Sequence, residues 1–356
     1  MTRPAAAVPL YVRCDAGRED GLGHLSRCLS LADALHAAHT GPATFVTHAP
    51  EGVGAAAITT RGHEYLAAAD HAGSDEDLRF MTRLLHEARQ RHGAKPLLVL
   101  DSRRIDSDYA RHCGDHTVVA CFDDEALRDL ACDILINSNV WVSAESYPAR
   151  NGRRVVAGPA YNLIREAFFD APQRRADVSK PLRVLITLGG EDPQNHTRRI
   201  VETLSDLLRE HTVTIIVGPA HPDPRSVKLA ADRHLPEAEI VSDPAAMAPY
   251  LTAAEVAITA GGTTCYELAA ARVAQAAIVI EDHQQALVDA LAAQGCLVPI
   301  GRYDKLDTAQ ARRSVARLLA SPEDRATMAA AAAALFPRSG LAAVADAILE
   351  TYGRCH

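Results

Sequence analysis

Residues 10–38 read LYVRCDAGREDGLGHLSRCLSLADALHAA, which spells one strand, one loop and one helix in succession. An apolar run at 10–14 has the length of a buried strand, and a polar loop containing glycines follows it. From 25 to 38 the apolar residues return at helical spacing. The same strand, loop and helix then recur. Further strand candidates lie at 43–47, 97–100, 118–122 and 134–136, with a second helical period at 78–90. Residues 170–181, DAPQRRADVSKP, lack any apolar period and read as a linker. Beyond it the alternation restarts, with strands expected at 183–188, 213–217, 238–241, 256–259 and 277–280. The last forty-odd residues read as two helices broken at Pro337, with Ser321 as an N-cap.

This alternation predicts an α/β protein of two doubly wound, Rossmann-like domains with parallel sheets. The expected division is 1–169, a linker at 170–181, and 182–356, with the option that the last helices pack back on the N-terminal domain. Ligands of such folds bind beyond the carboxyl ends of the strands, so a cleft between two such edges is expected to hold the site.

Composition agrees with two ordinary cores. The chain has 356 residues, 48% hydrophobic and 23% charged. Its 37 Lys and Arg stand against 45 Asp and Glu, a net charge of -8 that repels polyanions and argues against nucleic acid as a partner. The eight cysteines form no CxxC and no zinc-type cluster, so free, mostly buried thiols in a reducing cytoplasm are expected. The N-terminal stretch is too short and broken for a signal peptide, and no window reaches the roughly 18 apolar residues of a membrane span. A cytoplasmic protein with no membrane partner follows as the expectation; the oligomeric state stays open.

Three loops could carry chemistry. In the first, Arg13 and Asp15 close a strand, and Gly21, Gly23 and His24 open a helix, aiming backbone N–H groups at whatever sits there. His24, in the first helical turn, is expected to have its pKa lowered by the helix dipole. It is then either a neutral proton acceptor or a simple helix cap. In the second, Gly189, Gly190, Asp192 and Asn195 form either a ligand-facing turn or a plain one. In the third, Gly261, Gly262, Thr263 and Thr264 offer N–H and O–H donors without bulk, as a diphosphate requires. Glu267 lies one turn on, placed to accept from sugar hydroxyls or to act as a dipole partner. Gln284 follows the next strand in EDHQQ. No metal site is expected, and Asp123, Asp124 and Glu125 read as a solvated turn rather than a cation site.

Taken in order, RCDAGREDGLGHLSRCLSLADAL, VVACFDDEALRDLACDILINSN, AGPAYNLIREAF, LITLGGEDPQNHT and TAGGTTCYELA resemble the nucleotide-sugar hydrolases of pseudaminic acid synthesis (PseG type) over most of residues 10–295. That family is related to the glycosyltransferase that makes lipid II and shares its GT-B fold of two Rossmann domains. The resemblance implies removal of UDP from a diacetamido-trideoxyhexose with inversion at the anomeric carbon, without metal or other cofactor. It maps the histidine that acts as or near the base for water onto His24; the residues themselves add Asp15, placed to orient that water or stabilise its charge. Nucleotide contacts map onto Gly261 to Thr264, Glu267 and Gln284, with Gly189, Gly190, Asp192 and Asn195 beside them. Arg13, Gly21, Gly23, Arg27 and Tyr161 fall on the sugar side. Two positions depart from the pattern: Arg103 stands where the family has an aromatic, and His283 where it has an Asn. Arg103 adds charge to the sugar side and is expected to bear on which sugar is taken.

The resulting expectation is a nucleotide-sugar hydrolase. A GT-B glycosyltransferase using the same site with an alcohol acceptor is the alternative, and a non-catalytic nucleotide-sugar binding protein a third.

Overall fold

The structure is a computed structural model, and it describes residues 8–16, 23–38, 40–48, 53–124, 128–170, 181–190, 192–244 and 246–355. The chain divides into two units, the first Met1–Leu163 with Ser339–His356 and the second Ile164–Arg338.

Among its described residues the first unit holds a seven-stranded sheet ordered β3-β2-β1-β4-β5-β6-β7. Its strands are β1 Val8–Cys14, β2 Thr40–Thr47, β3 Glu64–Ala67, β4 Leu97–Asp101, β5 Val118–Phe122, β6 Ile134–Asn137 and β7 Arg154–Ala157. Every pairing is parallel. Helices α1 Gly23–Ala37, α2 Val53–Thr60, α3 Asp75–His92 and α4 Ser107–Gly114 connect the strands. The strand order reverses between β1 and β4, where Cys14 pairs with Asp101 at the carboxyl edge. That reversal is where a doubly wound sheet opens a binding crevice.

Strand alternation sorts the side chains of this sheet onto two faces. Leu10, Val12, Cys14, Leu97 and Val99 pack with Leu25, Cys28, Leu29 and Leu31 of α1. Tyr11, Leu98 and Leu100 pack instead with Met81 and Leu85 of α3 and Tyr109 of α4. Arg13 shares the parity of Tyr11, so it enters the α3 face and not the crevice. Its side chain and that of Asp77 in α3 are both fully buried, 2.9 Å apart. Nη1 donates to the carbonyls of Cys14 and Val46, Nη2 to that of Asp70, and Tyr109 Oη donates to Asp77 Oδ2 at 2.7 Å. The expectation that Arg13 contacts substrate is therefore corrected: its donors are spent inside the unit.

The second unit has, among its described residues, a six-stranded sheet ordered β10-β9-β8-β11-β12-β13. It runs β8 Arg183–Thr187, α5 His196–Leu208, β9 Thr212–Val217, α6 Pro224–His234, β10 Glu239–Ser242, α7 Ala248–Ala253, β11 Val256–Ala260, α8 Thr264–Ala270, β12 Ala274–Val279, α9 Gln285–Ala293, β13 Val298–Arg302, α10 Thr308–Ala320 and α11 Pro322–Leu335. All pairings are again parallel, and the order reverses between β8 and β11. Ser321 caps α11 by accepting from the Asp324 N–H.

The boundaries differ from those expected. Residues 164–170 belong to the second unit, where Phe168 is fully buried and Arg165 reaches Glu267. Residues 171–180 of the expected linker lie outside the described residues. The final helix, α12 Leu341–Arg354, belongs to the first unit, the option kept open for the last helices, and its Leu341, Val344, Ala345 and Ile348 join the core under α1. Three strands absent from the sequence reading, β3, β7 and β13, are all at or near sheet edges, and their partial burial weakens the apolar signal.

Replacing Asp77 by Asn keeps the shape but leaves the Arg13 guanidinium buried without a counter-charge. A loss of about 3–5 kcal/mol is expected in urea unfolding. A loss under about 1 kcal/mol, the range of exposed pairs, would mean the pair does not hold this face together.

Candidate functional site

Asp101, the last residue of β4, has the parity of Leu97 and Val99 and so points to the α1 face, where it is 1% exposed. A buried carboxylate must find donors or stay protonated. The first turns of α1 supply them at positions 24, 27 and 28, which share one helical face. His24 Nδ1 lies 2.7 Å from Oδ1. Arg27 grips the carboxylate side-on, Nε to Oδ2 at 2.6 Å and Nη2 to Oδ1 at 2.5 Å, and Cys28 Sγ donates to Oδ2 at 3.2 Å. Arg27 also donates to both oxygens of Asp124, at 2.6 and 2.8 Å, and its guanidinium lies 4.8 Å over the Phe122 ring. Acid and base thus alternate in one cluster at the carboxyl edge of β4 and β5.

Electrostatics assign the states of these groups. Burial alone favours a neutral Asp101, but Arg27 and His24 outweigh it and hold the carboxyl far below its usual range. Asp124 is likewise lowered, burial opposing and Arg27 prevailing. For His24, burial pushes the imidazole down, yet the charge and hydrogen bond of Asp101 raise it on balance, with Arg27 opposing and Asp124 adding. The expectation that the helix dipole lowers this pKa is corrected, because an ion-pair partner at 2.7 Å acts more strongly than the partial charge of a helix end. Nδ1 lies between Asp101 Oδ1 at 2.7 Å, which can only accept, and Arg27 Nη2 at 3.1 Å, which can only donate; the shorter contact to the ionised carboxylate favours the proton on Nδ1, with the lone pair of the neutral ring on Nε2. His24 is 16% exposed and so remains within reach of solvent.

The other candidates of this unit fall as follows. Asp15 is buried and pairs with Arg104 at 3.6 Å, so the carboxylate against His24 is Asp101. Gly23 is exposed at the start of α1, and Gly21 lies outside the described residues. Tyr161 packs, half-buried, against the α1-side core. Arg103 is exposed and makes no hydrogen bond among the described residues. Asp123 and Asp124 are not a solvated turn: Asp123 is 1% exposed and bound by Arg128 Nε at 3.0 Å and Tyr147 Oη at 3.0 Å, while Arg27 occupies Asp124. Glu125 lies outside the described residues. Asp101 is the carboxylate that the sequence reading did not place in the site, and Asp124, expected in a solvated turn, is tied to Arg27 instead; for Asp101 an acid ending a strand on the parity that faces α1 was the available signal.

In the second unit, both glycine loops sit where the strand order reverses. Gly189 has φ +98°, a conformation that favours glycine. The loop lies so close to β9 that a side chain on Gly218 would meet the Gly190 carbonyl at 2.3 Å. Asp192 is buried, and its carboxylate accepts from the His196 N–H, the Thr197 N–H and the Thr197 hydroxyl at 2.7–2.8 Å. Its expected contact to nucleotide is thereby corrected, since its oxygens cap α5. Asn195, also left-handed, donates to Ser226 Oγ. Around Asp192, Asn195 Oδ1, His196 Nε2 and His221 Nε2 are buried with no hydrogen-bond partner among the described residues. Burial pushes the His196 imidazole down, with Asp192 opposing.

At the third loop the two glycines have different jobs. A side chain on Gly261 would meet Val288 Cγ2 at 2.5 Å and Gln284 Cβ at 3.1 Å, so packing requires this glycine. One on Gly262 would meet nothing within 4 Å. The N–H groups of both are used, to Ile278 O and Ala260 O, so they are not the bare donors expected. The hydroxyls of Thr263 and Thr264 make no hydrogen bond among the described residues, and Thr263 is exposed. Gln284 is buried, and its Oε1 accepts from the Ile280 N–H at 3.0 Å. Burial raises the Glu267 carboxyl, with Arg165 opposing from 3.4 Å.

Residues 184–344 match the Glycosyltransferase family 28 C-terminal domain. The spore coat polysaccharide biosynthesis protein SpsG of Bacillus subtilis is 24% identical over 183 residues, 51% of this chain and 51% of that protein. An uncharacterized protein of Methanocaldococcus jannaschii is 24% identical over 214 residues, 58% of this chain but 41% of the relative. The matches thus span about half the length of these relatives or less. Among solved structures, MurG of Acinetobacter baumannii superposes with a TM-score of 0.65 at 16% identity, covering 96% of this chain and 100% of that one. The glycotransferase of kitacinnamycin gives 0.68 at 16% identity, covering 98% and 100%. The fold is the GT-B fold of glycosyltransferases. Among the described residues no helix is long and apolar enough to cross a membrane.

Replacing Asp101 by Asn removes the main cause that raises His24 and leaves burial and Arg27 opposed only by the smaller effect of Asp124. The His24 pKa, followed by NMR of the ring Cε1–H, is expected to fall below the ordinary imidazole value, whereas an unchanged value would exclude Asp101 as the cause. Because the folded-state pKa is raised, the stability linked to this proton is present below the ordinary imidazole pKa and is lost as pH rises through the raised one.

Proposed function

We propose that the chain is a nucleotide-sugar hydrolase that releases a nucleoside diphosphate, UDP in the first instance, from an activated amino or deoxy sugar by water attack at the anomeric carbon. The observation that carries this reading is the Asp101–His24 pair, in which the carboxylate holds Nδ1 at 2.7 Å and the imidazole keeps 16% of its side-chain surface exposed. In the proposed step Nε2 takes a proton from water as the oxygen bonds to the anomeric carbon, and the bond from that carbon to the diphosphate oxygen breaks with inversion. Asp101 holds the tautomer and stabilises the imidazolium that forms. Arg27, tied to Asp101 and Asp124, keeps the carboxylate charged and in place.

For the leaving group we propose the second unit, with the hydroxyls of Thr263 and Thr264 donating to phosphate oxygens that occupy the uncrowded space beside Gly262. Glu267 is assigned to hydroxyls of the nucleotide, and Arg103 to the sugar. No metal is assigned to the step. The match of residues 184–344 to a glycosyltransferase domain favours one other reading, in which an alcohol replaces water on the same base. Incubation with UDP-sugars and no acceptor separates them. Steady release of UDP and free sugar supports hydrolysis, and release only on adding an acceptor supports transfer. Binding without turnover overturns both.

In His24→Ala turnover is expected to fall about 100-fold to 10,000-fold, as for loss of a general base, while UDP binding persists. In the wild type kcat/KM is expected to rise with pH through the raised His24 pKa and then level. Turnover near wild type in the variant would remove His24 from the mechanism. Gly262→Val tests the other half. The added Cβ has room in the protein, so weakened UDP binding by calorimetry with unchanged unfolding is expected, and unchanged affinity would move the diphosphate elsewhere.

A further inference from the structure

Away from the Asp101 cluster, a second group of side chains gathers at the carboxyl edge of the first sheet. His48 directly follows β2, and Asp70 and His71 lie in the turn between β3 and α3. One ligand atom from each of the three comes within 4.8 Å of the others, and the two imidazole rings are 4.3 Å apart. His48 and Asp70 are half-buried, and His71 is exposed.

Both segments are held in place from beneath by one side chain. The fully buried Arg13 donates through Nη1 to the carbonyl of Val46, two residues before His48, and through Nη2 to the carbonyl of Asp70 itself, at 3.3 and 3.0 Å. The turn is further closed by the Ser74 N–H on the His71 carbonyl at 3.2 Å. Gly73, at φ +85°, packs so tightly that a Cβ would meet the Arg104 carbonyl at 2.3 Å. A cavity of about 320 Å³, lined by His71, Ala72, Gly73, Ser74 and Arg104, adjoins the group.

We propose that His48, Asp70 and His71 form a site for a borderline divalent transition metal, zinc in the first instance. Two imidazoles and one carboxylate are the donor set such ions take, whereas magnesium and calcium prefer oxygen ligands alone. Tetrahedral zinc with bonds of about 2.0–2.1 Å sets neighbouring donor atoms roughly 3.3 Å apart. Side-chain rotation, above all of the exposed His71, closes the remaining gap without moving the anchored backbone. The fourth position is left to water or to an anionic oxygen donor. The ion would cross-link the ends of β2 and β3, and it takes no part in the step assigned to His24.

The test uses the tag-free full chain, stripped with a chelator and titrated with zinc by calorimetry and with cobalt by visible absorption. One equivalent and a tetrahedral cobalt spectrum are expected. His48→Ala, His71→Ala and Asp70→Asn should each weaken binding by about 100-fold, at least the loss that removing a mere supporting group causes. His71 is exposed, so its variant is expected to keep the wild-type circular dichroism spectrum and unfolding. His24→Ala should leave the zinc isotherm unchanged, so failure of the hydrolase reading leaves this result standing. Absence of binding, or the same isotherm in the wild type and in the His48→Ala/His71→Ala double variant, overturns the proposal.

Discussion

The first unit is organised around a buried negative charge. Asp101 sits at the end of a central strand, nearly without solvent, and its ionised form survives there because the start of α1 delivers a guanidinium, an imidazole and a thiol to its two oxygens. Arg27 is in turn neutralised by Asp124 and stacked on Phe122, so the charges alternate and none is left alone. That arrangement gives His24 its character. A histidine at a helix start is ordinarily disfavoured as a cation; with Asp101 against Nδ1 it becomes a stronger base with its free lone pair on Nε2.

The same strand pair carries a second buried charge on its other face. Arg13 and Asp101 occupy neighbouring strands one residue out of register, so the pleat sends them to opposite sides. Arg13 meets α3 and pins the ends of β2 and of the β3 turn, while Asp101 meets α1. One sheet edge is thereby fixed from both sides. Both the Asp101 cluster and the pair of histidines beyond Arg13 owe their positions to ion pairs whose central carboxylates, Asp101 and Asp77, are buried.

Glycine and acid loops of the second unit divide differently from their appearance. Asp192 is consumed in capping α5, and Gly261 is a packing requirement against Val288 and Gln284. Gly262 and the two threonines remain open. A motif written in small and polar residues contains both the residues that build the loop and those left over for a ligand, and composition does not separate them. Burial separates Asp192 and Gly261 from Gly262 and Thr263, because most buried polar atoms already have a partner, as the Asp192 oxygens do.

Legible from the chain alone were the alternation of strand and helix, hence two parallel α/β units, and the loops at which each sheet reverses. Apolar periodicity encodes these locally, and glycines followed by a helix mark the turns. The central strands were visible because they are buried on both faces; β3, β7 and β13 were not, since partial burial dilutes the pattern. His24 was legible as a candidate, but its partner was not, because Asp101 lies 77 positions away. Tertiary structure alone decided that Asp101 and not Asp15 faces the histidine, that Arg13 is buried, that α12 returns to the first unit, and that the His24 pKa rises. Each of these depends on charges and faces brought together by parallel pairing of distant strands, and local sequence carries no record of which distant strand will be the neighbour.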